Sequence, residues 1–369
     1  MKNVCILLDN LEVGGAERIA INIAEQMKKS GISVEIVVSK RHGEFEEQVP
    51  EDIQIVELDS KDVPFVGVLG DIFALSSYLN KADHDGLISF KTNTNILSPL
   101  ARLISDWNGT ILIREMGLSR ETFNNSSTLK FWATIALAAL TYRIADELFV
   151  VSEGVSKEVR KTLLIDEDKI TKVYNPVISE SEIGHNHPWP CNEWFQDDYT
   201  VIVAAGRLVS AKSFDTLIKS VPHLLAHNDN IRVLILGDGE KKQKLNHLSR
   251  ELGVEQYVDL MGYVSNPNDY IYNSSLFVLS SIREGLPTVL IEALACGTPI
   301  VSTNCEYGPE EILCSGKYGT LVPTNDPQRL AEGAIEEITN PTKKEMLLER
   351  AKYFTIENQT KKYIEALYD

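Results

Sequence analysis

Several features that would direct a reading elsewhere are missing. Basic residues do not dominate: 36 Lys and Arg stand against 53 Asp and Glu, a net charge of −17. Divided at Asn175, the chain has 19 basic and 26 acidic residues before and 17 and 27 after. With both halves acidic, nucleic acid is excluded as the main partner, as is a membrane contact made by the surface as a whole. A local basic patch stays open. Cysteine is scarce: Cys5, Cys191, Cys296, Cys305 and Cys314 form no C-x-x-C pair. An odd count without that spacing points to reduced, mostly buried thiols. No apolar run reaches bilayer length, no segment is of low complexity, and no G-x-G-x-x-G fingerprint follows a strand, which disfavours hydride transfer. The first nine residues turn polar after about five apolar ones and so read as a strand rather than a signal peptide, with a cytoplasmic protein expected. The 369 residues predict two domains of about 150–200 residues each.

What is present centres on residues 280–297. An apolar run, Leu276 to Leu279, stops at two serines and a loop. Pro287, at an expected first helical position, then opens a helix that ends near Gly297. Glu284 falls just before that helix and Glu292 inside it, between Val289, Leu290, Ile291, Ala293, Leu294 and Ala295. If this helix is buried, the Glu292 carboxylate requires hydrogen-bond donors, which sugar hydroxyls supply. A helix start offers free amides, here those of Thr288 and Val289, and a partial positive charge suited to phosphate. Phosphate and hydroxyl recognition in one place suggests a sugar nucleotide. An amphipathic helix with Thr288 and Glu292 on a wetted stripe accounts for the same residues.

With glutamates eight apart, the stretch resembles the E-x7-E signature of family 4 of the retaining, nucleotide-sugar-dependent glycosyltransferases. That resemblance implies an α/β protein of the GT-B fold, with two Rossmann-like, doubly wound parallel-sheet domains facing across a cleft. The remaining segments can be compared with it in order.

Val4 to Leu8 reads as a buried strand, followed by Gly14-Gly15 and a helix from Ala16 to about Lys29, with Ile19, Ile23 and Met27 on one face. Strand, glycine-rich loop and helix suit phosphate binding, and a plain turn fits equally. Gly14 to Arg18 resembles the family loop that faces the donor diphosphate and sugar. Strands are expected at 32–39, 53–58 and 86–90, with a helix at 67–81; alternation of this kind implies a parallel sheet. Asp83-His84-Asp85 matches D-x-D metal spacing but lies where a strand begins, so it reads as a turn. After the strand 110–113, Arg114 and Glu115 lie at a strand C-terminus, where ligands gather. Many relatives carry a histidine in this loop; here Glu115 is expected to take the acceptor proton or to orient a hydroxyl. The resemblance places Arg18, Arg114, Glu115 and Arg120 toward the acceptor. Ordinary charge pairing of Arg114 and Glu115 is the alternative. The apolar run Phe131 to Leu140, containing Trp132 and flanked by Lys130 and Arg143, is too short to span a bilayer and reads either as a core helix or as an interfacial one.

In the second half, 178–198 reads as a linker. His185 and His187 lack a third metal ligand nearby, and no metal is expected. After the strand 200–205, Gly206, Arg207 and Lys212 resemble the family's G-R-x-x-x-x-K element, with Ser213 where glycine is common. Arg and Lys together can clamp a diphosphate and stabilise the leaving nucleotide; two surface cations are the alternative. Gly237 and Gly239 follow another strand, and Tyr263 with Val264 is expected beside the base. Gly308 to Ile312, with Glu311, resembles the family's next helix start.

The expected organisation is an acceptor-side domain at 1–175, a nucleotide-sugar domain at 176–352, and a tail at 353–369 packing back on the first domain. The resemblance implies catalytic roles for Glu284, Arg207, Lys212 and Glu115. It implies donor contacts from Gly14, Gly15, Gly206, Arg207, Lys212, Gly237, Tyr263, Val264, Glu284, Gly285, Thr288, Val289 and Glu292. It further implies a retaining transfer without metal or other cofactor, from a nucleotide sugar, with a UDP-sugar favoured, to a glycan acceptor. The favoured acceptor is polyprenyl-diphosphate-linked, met by the first domain at the inner face of the bacterial membrane. A hydrolase or epimerase of the same fold, or a non-catalytic two-lobed sugar-binding protein, is the alternative.

Overall fold

The computed structural model describes residues 2–12, 14–58, 68–118, 128–196 and 198–368. The chain forms two compact units, Met1–Pro176 with Ile356–Asp369, and Val177–Thr355. In the first, the short apolar runs become strands β1 (Asn3–Leu8), β2 (Ser33–Val38), β3 (Gln54–Glu57), β4 (Gly86–Phe90), β5 (Thr110–Glu115), β6 (Glu147–Val150) and β7 (Ile170–Lys172). They form one sheet in the order β3-β2-β1-β4-β5-β6-β7, and each neighbouring pair runs parallel. A parallel sheet carries helices on its faces, which is why Val4 to Leu8 can be fully buried and uninterruptedly apolar. The second unit repeats the plan with β8 (Thr200–Ala205), β9 (Ile231–Leu236), β10 (Val258–Gly262), β11 (Leu276–Leu279), β12 (Ile300–Thr303) and β13 (Thr320–Val322), ordered β10-β9-β8-β11-β12-β13. Each is therefore a doubly wound α/β sheet whose strand order reverses once, between β1 and β4 in the first and between β8 and β11 in the second. Ligands of such sheets bind beyond the strand C-termini at that reversal.

One helix escapes the sequence patterns. Thr92–Leu103 opens on threonines and asparagines and contains Pro99, all poor helix formers. Packing overrides that preference, because Thr92, Thr94, Asn95 and Ser98 are buried and their polar atoms find partners. Ser89 donates to Asn95 Oδ1 at 2.8 Å, and Asn95 Nδ2 to the Arg114 carbonyl at 2.8 Å.

The C-terminal helix Ile356–Tyr368 lies within the first unit. Tyr363 is fully buried, edge-on to Phe149 at 4.7 Å, and Leu367 fills the space left by Gly86, whose Cβ would collide with it. Burial of such side chains contributes about 1.5–3 kcal/mol each. Gln359 adds an acceptor for the Tyr174 amide at 3.0 Å.

Among its described residues the expected linker contains only two short 3-10 turns, Glu180–Glu182 and Glu193–Phe195. His187 Nδ1 lies 3.0 Å from Asp269, and among the described residues no group of three or more His, Cys, Asp or Glu is placed to hold a metal. The Asp85 carboxylate accepts from the Asn3 amide at 2.8 Å at the start of the sheet, as a turn residue does. All five cysteines are free, with Cys5, Cys296 and Cys305 buried. The helix Thr128–Thr141 turns Phe131, Ile135 and Ala138 to the core and leaves Leu129, Trp132, Leu137 and Leu140 exposed.

Candidate functional site

In the second unit the loops after β8, β9, β10, β11 and β12 meet beyond one edge of the sheet. Glycine permits their stacking. Gly237 has φ 133°, and a Cβ there would overlap the Gly206 carbonyl; Gly239 would meet the Leu208 backbone. Leu208 N donates to the Asp238 carbonyl at 2.8 Å, and Gly237 N to that of Gly262 at 2.7 Å. Gly237, expected as a donor contact, is required first for this loop packing.

At the reversal between β8 and β11 the two halves of the expected charge set come together. Lys212 Nζ donates to Glu284 Oε1 at 2.6 Å, and Ser281 Oγ donates to the same oxygen at 2.6 Å. The backbone fixes the two loops, with Ser280 Oγ on the Lys212 carbonyl at 2.9 Å and Ile282 N on that of Ala211 at 2.9 Å. Both side chains are mostly enclosed, Lys212 21% and Glu284 11% exposed. Arg207 is exposed on the same loop and has no partner among the described residues. Cys305 nearby is no nucleophile, since burial and the Glu284 charge push its thiol up to about 12.

The helix Thr288–Cys296 begins one residue later than expected: Pro287 occupies the capping position, where it supplies neither an N–H nor a side-chain acceptor. Its first amides, those of Thr288 and Val289, therefore keep the free donors and partial positive charge of a helix start. Gly308, at φ 95°, lets the following loop pass over Pro287, with which a Cβ would collide. Glu292 is 6% exposed and engaged by neighbouring groups, so it does not belong to a wetted stripe. It and burial push the Cys296 thiol up to about 12. Tyr263 is 78% exposed, and Val264 and Gly285 are half-buried in adjoining loops. Glu311 lends its carbonyl to Arg350 Nη2 at 2.8 Å.

In the first unit, Arg114 and Glu115 are both enclosed. Arg114 is fully buried and donates to Tyr363 Oη and to Asn175 Oδ1, tying β5 to the C-terminal helix, so it does not face an acceptor. Glu115 is 1% exposed. Its Oε2 accepts from Tyr142 Oη at 2.6 Å and Thr92 Oγ1 at 3.1 Å, and its Oε1 from the Met116 and Gly117 amides at 2.9 and 3.1 Å. Burial pushes this carboxyl up against the pull of the four donors. A group so enclosed orders the loop after β5 rather than reaching an acceptor hydroxyl. Gly14 caps the helix Gly15–Lys29 in an extended conformation; a Cβ on Gly14 would collide with Glu17, whereas one on Gly15 would meet open space. Arg18 is exposed and engaged, and Arg120 lies outside the described residues. Sequence reasoning missed Glu17 and Lys91, whose ion pair sits beyond β1 and β4; only their places, in the first turn of the helix after β1 and directly after β4, could have signalled them.

Two family models match, Glycosyltransferase Family 4 over residues 13–181 and Glycosyl transferases group 1 over 192–354. The chain is 33% identical to an uncharacterised glycosyltransferase of Methanocaldococcus jannaschii, over 49% of this chain and 48% of that one, so it spans about half of that relative. It is 25% identical, over 90% of its own length and 89% of the relative's, to N-acetylgalactosamine-N,N'-diacetylbacillosaminyl-diphospho-undecaprenol 4-alpha-N-acetylgalactosaminyltransferase of Campylobacter jejuni. Anabaena HepE in complex with UDP superposes with a TM-score of 0.81 at 16% identity, covering 100% of this chain and 99% of that one; the fold is GT-B.

The enclosure of Glu115 leads to a kinetic expectation. Glu115→Gln can turn its amide nitrogen toward the Thr92 and Tyr142 hydroxyls, which can rotate to accept, so transfer should fall less than about tenfold. Loss of a general base costs about 10²–10⁴-fold, and a loss of that size in steady-state kinetics, with the melting temperature unchanged, would restore Glu115 as the base.

Proposed function

We propose, from the premise that this chain belongs to glycosyltransferase family 4, that it moves a hexose or N-acetylhexosamine from a UDP-sugar to a polyprenyl-diphosphate-linked glycan, with retention and without metal. The observation that carries the proposal is the Lys212–Glu284 pair at the β8/β11 reversal, with Arg207, whose side chain has no partner among the described residues, on the same loop and the start of the helix Thr288–Cys296 following Glu284. Arg207 grips the diphosphate through its planar fork, and Lys212 and the Thr288 and Val289 amides add positive charge. Together they stabilise the leaving nucleotide as negative charge develops on it. Glu284 accepts from a donor-sugar hydroxyl and Glu292 from the ribose. The anomeric carbon–phosphate oxygen bond breaks as the bond to the acceptor oxygen forms on the same face. The leaving phosphate oxygen takes the acceptor proton, so configuration is kept and no covalent adduct forms.

The choice of UDP is supported by HepE, described in complex with UDP, and the lipid-linked acceptor by the name of the Campylobacter relative. Purified protein, UDP-sugars and a prenyl-diphosphate-linked N-acetylhexosamine should give an α-linked product by NMR, at a rate EDTA does not change. A β-linked product, a rate abolished by EDTA, or a glycosyl adduct trapped on Glu284 would overturn the mechanism.

The proposal extends to where the reaction occurs. Residues 122–145 contain no Asp or Glu in a chain with 53 of them. The helix Thr128–Thr141 within that stretch exposes Leu129 (81%), Trp132 (57%) and Leu140 (66%), with Lys130 and Arg143 at its flanks. Among the described residues no helix is long and apolar enough to cross a membrane, but an exposed apolar face with cations at its edges suits the surface of an anionic bilayer. The protein should float with phosphatidylglycerol vesicles, and Leu129→Ser, Trp132→Ser and Leu140→Ser combined should weaken that binding by at least about tenfold. Equal flotation of the combined variant would remove this surface from the account.

A further inference from the structure

With Arg114 and Glu115 sealed, the reversal between β1 and β4 in the first unit is left to other residues. Lys91, the first residue after β4, stands there with φ 70° and ψ 151°. That region is adopted without strain essentially by glycine alone. Its side chain is 39% exposed, and its ammonium meets the carboxylate of Glu17, which is 2% exposed in the first turn of the helix Gly15–Lys29. Asp9, the residue after β1, lies within electrostatic reach of both and bonds to the Asn93 side chain. The pair neutralises the enclosed Glu17 carboxylate, but a lysine on unstrained backbone would do the same, and the conformation held at Lys91 is costly. Stability alone therefore does not account for a lysine at this position.

The charge balance indicates what the site takes. Asp9 and Glu17 bring two carboxylates to one ammonium, and Asp71 and Lys40 beyond them leave the surroundings net negative. Such a site has no spare positive charge with which to hold a phosphate. It offers one strong donor, Lys91, and one acceptor, Asp9, within electrostatic reach of each other, the pattern that adjacent hydroxyls of a neutral sugar satisfy. We infer that Lys91, positioned by Glu17, is a specificity-determining residue that recognises hydroxyls of the acceptor's sugar. The ammonium donates to a hydroxyl oxygen while Asp9, which is half-buried, accepts the hydroxyl hydrogen.

This inference rests on the transferase reading, and the test separates the two. Transfer is measured with the full chain from a panel of UDP-hexoses and UDP-N-acetylhexosamines to a prenyl-diphosphate-linked N-acetylhexosamine, with UDP-induced thermal stabilisation followed in parallel. Lys91→Gly should lower the acceptor kcat/KM about 10- to 100-fold, the loss of a charged hydrogen bond, while donor KM and the UDP response stay the same. Glu17→Gln, which leaves the Lys91 backbone as it is, should lower the acceptor kcat/KM by at least about threefold with the UDP response intact. Both variants within twofold of wild type in acceptor kcat/KM would show the pair to be structural and overturn the inference. Absence of transfer by the wild type itself, with UDP still stabilising it, would overturn the acceptor class and this inference with it.

Discussion

The contact between Lys212 and Glu284 is the interaction on which the second unit's chemistry depends. It joins residues 72 apart in sequence at 2.6 Å, and it can form only because the sheet reverses its order between β8 and β11. Placing one loop on each side of that reversal creates the crevice, and the ion pair fixes the loops across it. An enclosed pair of this kind is not retained for its stability, since desolvation cancels much of the attraction. Its value lies in holding a carboxylate and a cation in defined positions beside a helix start whose first amides are free. Arg207, by contrast, is exposed, and its guanidinium is available to a ligand.

The first unit uses the same topology differently. Its strand-end residues on β5 turn inward: Arg114 ties down the C-terminal helix and Glu115 collects four donors. The charged groups left at its reversal are Asp9, Glu17 and Lys91, a net negative set where the second unit presents Arg207 and Lys212. That contrast in charge follows the division of labour in the proposal: the second unit is built for phosphate, the first for hydroxyls. In the proposal, the exposed apolar face of the helix Thr128–Thr141 is the surface by which the first unit meets a lipid carrier.

Most of this was legible where local rules act. Apolar runs alternating with 3.6-residue periodicity specify both sheets, and Glu284, Arg207 and Lys212 could be placed because each follows a strand, Glu292 because it lies within the helix that Pro287 announces. Legibility failed where the outcome depends on distant packing. Whether Arg114 faces a ligand or the core is decided by Tyr363, 249 residues away. The helix Thr92–Leu103 was hidden by Pro99 and its threonines and asparagines, since only tertiary contact makes those residues helical. Lys91 carries no motif, and a left-handed backbone is visible in sequence chiefly when glycine or asparagine marks it.

The central claim, a nucleotide site built on Arg207 and the Lys212–Glu284 pair, is tested most directly by thermal unfolding of the full chain with UDP, GDP, ADP, CMP and NAD, for the wild type and Arg207→Ala. A ligand at 100 times its dissociation constant adds about 2.7 kcal/mol of stability. Because Arg207 is exposed and unpartnered among the described residues, its replacement should leave the ligand-free melting temperature unchanged. The account predicts stabilisation by UDP that the variant loses. Stabilisation by NAD alone, by no nucleotide, or equally by UDP in both proteins would contradict it.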